Sequence, residues 1–246
     1  MPVSYKEDAD NFMNMTVRPD DVWVATFPRT GTTWTQELVW MVANDLDYDT
    51  AAKIPLLGRY MFIEANHVLV PSKLSQKEVD TVALEEFAKT MPSFEAIESA
   101  PSPRFIKTHM PFSLLPKNLL ETAKVVYVAR DPRDVAVSWY NHNRLFYKYS
   151  GDFKTFWNLF INDLVIYAPF FPHLKEAWAL RDHPNMLYIF YEDMIRVIMT
   201  LTIHIPWVIS GKSGGWRDHF DEEMTAQAQK WMSENLAGSD LRFPDV

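Results

Sequence analysis

The stretch Asp21-Val22-Trp23-Val24-Ala25-Thr26-Phe27-Pro28-Arg29-Thr30-Gly31-Thr32-Thr33-Trp34 constrains the fold of this chain more than any other. Its first half alternates branched and aromatic residues and reads as a buried β-strand. Its second half turns through Pro28 and Gly31 into an apolar run at helical spacing, Trp34, Leu38, Met41 and Val42. The helix is expected to start near Thr32 or Thr33, both suitable caps. Strand, tight turn and helix together lay out an anion cradle, in which first-turn N–H groups, the positive end of the helix dipole, two Thr hydroxyls and the Arg29 cation converge. An ordinary βα unit would need its glycine only to turn. With 7 glycines in 246 residues, however, one at this junction reads as placed. The loop is not a Walker A motif, because no Lys follows Gly31.

The rest of the chain is expected to fold with this unit into a single α/β domain, since its length suits one sizeable core and no low-complexity linker divides it. Nine Trp and sixteen Phe leave aromatic surface for a ligand pocket. A formal charge of −8, with no Lys/Arg run longer than a pair, argues against a nucleic-acid partner. Zero Cys excludes disulfides and thiolate metal sites, and the His residues carry no metal-binding spacing, so no metal is expected. Residues 1–20 are an acidic lead-in, expected to pack loosely, with no apolar leader core. No apolar run approaches the ~18 residues a membrane span needs. The expected location is cytoplasmic, with no membrane partner.

Three further stretches carry chemistry. Arg104-Phe105-Ile106-Lys107-Thr108-His109 reads as a short strand stopped by Pro111, with Lys107 and His109 on one face by the period of two. A cation and a base then point into one cleft, although a lone His is more often structural. Lys124 to Ala129 is the clearest central strand, and Arg130-Asp131-Pro132 opens a helix with Pro in its first turn. Arg130 and Ser138 are candidates for a second phosphate, the alternative being a solvated Arg and a helix-face Ser. Asn185 to Phe190 forms another strand that ends at Tyr191, a candidate to contact an adenine ring. Tyr60, Met61, Phe62, Phe112, His142 and Phe146 are candidates for an apolar acceptor pocket, with simple core packing as the alternative for each. Ser75 to Met91 reads as an amphipathic helix with a capping box, residues 152–182 as two more, and Asp221 to Leu236 as a terminal helix.

Taken together, Phe27 to Trp34, Lys107-Thr108-His109, Arg130 to Tyr140 and Phe190 to Met194, in that order and spacing, resemble the cytosolic sulfotransferase family. The resemblance covers about residues 15–194 and resumes at Gly211 to Arg217. It implies a P-loop NTPase-like central parallel sheet flanked by helices. It also implies transfer of a sulfuryl group from 3′-phosphoadenosine 5′-phosphosulfate (PAPS) to a hydroxyl or amine of a small-molecule acceptor. By position, Arg29, Thr30, Gly31, Thr32 and Thr33 hold the 5′-phosphosulfate, and Trp34 and Tyr191 meet the adenine. Lys107 contacts the transferring group and His109 is the base. Arg130 and Ser138, with Gly211 and Lys212, serve the 3′-phosphate.

Two departures are visible. Arg29 stands where the family usually has Lys, a fork in place of a point charge. Between Met194 and Gly211 only Ile195 to Ser210 intervene, where the family runs for several tens of residues, and Ile209-Ser210 replaces its two cations. This bridge is β-branched and carries no helix signal before Pro206. The alternative that it raises is a catalytically weak or inactive sulfotransferase-like chain with impaired nucleotide binding. No dimer motif of the family is evident, and the oligomeric state is open.

Overall fold

The computed structural model describes residues 5–68, 90–201 and 213–245. Its sheet has five parallel strands, β1 (Val22–Thr26), β2 (Met61–Phe62), β3 (Phe105–Thr108), β4 (Lys124–Ala129) and β5 (Met186–Phe190), in the order β2-β3-β1-β4-β5. Their continuous apolar composition suits a sheet covered on both faces. Trp23, Ala25, Ile106, Val125 and Tyr127 face the larger core. Val24 and Phe105 face a smaller layer closed by Trp40.

The helices that position the site are α1 (Tyr5–Met13), α2 (Thr32–Ala43), α3 (Pro132–Phe146), α4 (Phe153–Ile161), α5 (Phe170–Ala179), α6 (Tyr191–Leu201) and α7 (Glu222–Leu236). The chain runs from β1 to β2 and β3 on one side, then crosses β1 to reach β4 on the other. The strand order therefore reverses at the carboxyl end of β1, and parallel α/β sheets bind ligands at such a crevice.

Two segments depart from expectation. Within the lead-in, the described residues from Tyr5 on do not lie loosely on the core: α1 buries Phe12 against Tyr5, Phe94 and the His67 ring, and Met15 and Val17 follow it inside. The bridge after Met194 begins as helix, since α6 continues through Leu201. Tyr191, Met194 and Ile195, spaced i, i+3, i+4, pack on Val126 and Val128, and this burial outweighs the weak helix propensity of β-branched residues. The expected helix at Ser75 to Met91 lies largely outside the described residues, as do Gly211 and Lys212.

Candidate active site

The turn after β1 is tight because its backbone is unusual at two positions. Arg29 has φ +68° and Gly31 φ +105°. Gly31, rather than Thr32 or Thr33, is the N-cap of α2, and no side chain caps the helix among the described residues. The first-turn N–H groups of α2 are thereby left for a ligand. The hydroxyls at the cradle are partly engaged elsewhere: Thr30 donates to Phe27 O at 2.9 Å, and Thr32 Oγ1, one of the two expected at the helix start, lies 2.7 Å from Thr26 Oγ1. Thr33 is exposed beside them.

The ends of β4 and β5 close on the same turn. Arg130 donates through Nη1 to Arg29 O at 3.1 Å, and its guanidinium lies 4.3 Å over the ring of Tyr191. Tyr191 fills the space that a Gly31 side chain would need and stands 6.0 Å from the Trp34 ring. Arg29 Nε donates to Ser138 Oγ on α3 at 3.2 Å. Ser138 thus meets Arg29 directly and still has its own O–H to donate. Desolvation and the neighbouring Arg130 cation both lower the pKa of Arg29.

The end of β3 supplies the remaining groups. His109 Nδ1 lies 2.8 Å from Thr26 O, and a carbonyl only accepts, so Nδ1 carries the proton and Nε2 keeps its lone pair. Burial, then the Lys107 cation, holds the His109 pKa well below the usual imidazole value, so its neutral form is the resting one. Lys107 Nζ sits 4.1 Å over the Phe62 ring, and the same ring meets the His109 imidazole edge-on at 5.5 Å. Burial lowers the Lys107 ammonium to about 8, against the attraction of Glu64.

Glu64 gave no signal in the sequence beyond a carboxylate following a short apolar strand. It is fully buried and accepts from His109 N at 2.6 Å, Thr108 Oγ1 at 3.0 Å and the Tyr167 hydroxyl at 3.2 Å. Asp134 was also missed. From the first turn of α3 it accepts from Gly214 N at 2.7 Å and Trp216 N at 2.9 Å, fastening the glycine-rich segment beside the cradle.

Of the acceptor-pocket candidates, Phe62 stands at Lys107 and His109. His142 faces the same field, its pKa lowered to about 4 by burial and by Arg29 and Lys107, and stacks on the half-exposed Phe146. Phe112 lies against Tyr127. Tyr60 is not brought to the site. It packs with Val24, Trp40 and Phe105, and its hydroxyl donates to Gln36 O. Among the described residues no group of His, Asp or Glu could hold a metal ion. No described helix is long and apolar enough to cross a membrane.

Arg29, Lys107 and Arg130 thus gather with the N-terminus of α2, the Tyr191 ring and the neutral His109 imidazole at adjoining ends of the parallel strands. The chain belongs to the sulfotransferase family, whose sulfotransferase domain matches residues 19–200. It is 33% identical over 202 residues to luciferin sulfotransferase of Photinus pyralis, covering 81% of this chain and 53% of that protein. It is 36% identical over 197 residues to mouse sulfotransferase 1A1, covering 77% and 60% respectively. The chain therefore spans little more than half the length of these relatives. The crystal structure of retinol dehydratase in complex with retinol and PAP superposes with a TM-score of 0.86 at 38% identity, covering 98% of this chain and 88% of that one.

Proposed function

We propose that this chain transfers a sulfuryl group from PAPS to the hydroxyl, or amine, of a small apolar acceptor. The observation that carries this reading is the gathering of cations by the open N-terminus of α2: Arg130 holds Arg29 O, burial and then Arg130 lower the Arg29 pKa, burial and the Arg29 cation lower that of Lys107, and an anion would relieve both. PAPS, when bound, supplies the sulfuryl group together with a phosphate leaving group. Arg29 and the first-turn N–H groups of α2 hold the phosphosulfate, and Lys107 neutralises charge gathering on its oxygens. Arg130 and Ser138, with Gly211 and Lys212, take the 3′-phosphate, while Trp34 and Tyr191 border the adenine. His109 accepts the acceptor's proton at Nε2, the atom left bare by its bond to Thr26 O.

Phe62, Phe112, His142 and Phe146 form the acceptor side in this reading. Retinol, the alcohol in the retinol dehydratase complex, sets the acceptor class to test first. A cytoplasmic location belongs to the same reading. The weaker-binding alternative is kept by the two cations missing before Gly211.

One experiment addresses both. PAP, the desulfonated product, is titrated calorimetrically into the protein and its Arg130→Ala variant, and radiolabelled PAPS is then offered with retinol and simple phenols. The expected result is micromolar PAP binding lost in Arg130→Ala, and transfer that falls about two to four orders of magnitude in His109→Ala. A folded protein that binds no PAP overturns the reading.

A further inference from the structure

The imidazole that acts as base in this reading is held by its own peptide group as well as by its ring. His109 N–H donates to Glu64 Oε1 at 2.6 Å, and His109 O accepts from His173 Nε2 at 3.0 Å. Because that partner is a carbonyl, Nε2 of His173 carries the proton. His173 Nδ1 is then an acceptor, and the Tyr127 hydroxyl donates to it at 2.7 Å. Glu64 follows β2, His173 lies on α5 and Tyr127 on β4. Both grips are buried, with Glu64 at 0% and His173 at 2% exposure. Neither residue has a part in the donor and acceptor contacts assigned above.

We propose that Glu64 and His173 are positioning residues that present His109 by gripping the N–H and the C=O of its peptide. The proposal rests on the sulfotransferase reading for the reaction, but not for the grip.

A carboxylate satisfies the three donors that converge on Glu64, namely His109 N–H, Thr108 O–H and Tyr167 O–H. Protonation turns one of its oxygens into a donor. His109 N–H and Tyr167 O–H meet Oε1 while Thr108 O–H meets Oε2, so a proton on Oε2 is donated to a rotated Thr108 hydroxyl and Oε1 still accepts from His109 N–H: the grip holds in either protonation state. The groups around Glu64 are Lys107 of β3, His109 just beyond it, Tyr167 between α4 and α5, and Tyr5 of α1, whose hydroxyl Glu64 raises further. Burial outweighs the stabilising hydrogen bonds and the Lys107 cation, and pushes Glu64 up to about 7. His173 is held neutral by burial, its pKa lowered to about 4, so its own grip persists through the same range.

The test uses the full chain labelled with 15N-histidine and followed by NMR, with His109 assigned by its loss in His109→Gln. The expected result is a His109 signal displaced in Glu64→Leu and in His173→Leu and restored in Glu64→Gln and His173→Gln, which keep an acceptor for the N–H and a donor for the carbonyl. With PAPS and retinol, Glu64→Leu and His173→Leu should lower kcat about tenfold to hundredfold, the effect of a slightly misplaced base. PAP affinity should stay within about twofold, and the two Gln variants should recover most of the rate. A His109 signal that stays in place in both Leu variants overturns the proposal, as does a loss of PAP affinity that matches the loss of rate. Should retinol not turn over, the sulfotransferase reading fails alone, because the NMR signal still decides the grip. Should Glu64→Leu not fold, the contrast between His173→Leu and His173→Gln decides it.

Discussion

Gly31 shows how much of this site depends on a single missing atom. Its φ of +105° lies where an L side chain is strained by roughly 1–2 kcal/mol, and a Cβ there would come within 2.5 Å of Tyr191 Cδ2. The turn and the aromatic wall of the cradle therefore cannot both survive a larger residue. Gly31→Ala is expected to weaken PAP binding at least tenfold in calorimetry, with a measurable fall in melting temperature. Unchanged affinity would mean that Tyr191 moves freely and does not form the wall. Two positions earlier, Arg29 accepts a left-handed backbone without being glycine. Its carbonyl is held there by Arg130, so one cation fixes the loop that carries the other.

At the scale of elements, the functional loops are fastened by carboxylates that bind backbone N–H groups. Asp134 on α3 holds Gly214 and Trp216, while Arg133 stacks 3.9 Å over the Trp216 ring. Asp134→Ala removes two charge-assisted bonds, each contributing about 1.5–3 kcal/mol. The segment can open to water without unfolding the sheet, so the loss should be local. Hydrogen exchange is expected to rise across residues 213–220 and to stay unchanged in β1 and β4. An equal rise everywhere would show that the segment belongs to the global core.

The elements that were legible in the sequence are those whose pattern is local. The strand of β1 with its turn, the run of β4, and the Asp131-Pro132 start of α3 each carry their signal within a few residues, and the structure places them as read. Glu64, Tyr167 and His173 carry none, because they meet only after β2, α5 and β3 assemble. Tyr60 and Phe62 look alike in sequence, yet only Phe62, level with Lys107, reaches the strand ends. Tyr60 sits level with Phe105 beneath α2. The helical start of the bridge was hidden for a related reason: β-branched residues argue against helix until Val126 and Val128 offer a face to pack on.

Across the whole molecule, the site concentrates buried titratable groups whose effects on stability have opposite signs. His109, His142 and His173 have depressed pKa values, so the stability they contribute is present above about 6.5 and is lost as pH falls toward their folded values. For the fully buried His173, from 6.5 to about 4, this amounts to about 3 kcal/mol. Glu64 and Glu192 are both raised to about 7, first by burial, so their contribution is present below about 4.5 and is lost as pH rises through 7. Acidification from pH 7 to 5 therefore sets three histidines against two carboxylates: the unfolded imidazoles take up protons near 6.5 while the folded ones stay largely neutral, and three against two leaves a net loss. Urea denaturation over this range is expected to show stability falling with pH. The fall should be steeper in Glu64→Gln, which keeps the histidines and removes one opposing carboxylate. Parallel curves for the two proteins would mean that Glu64 takes up no proton in the folded state.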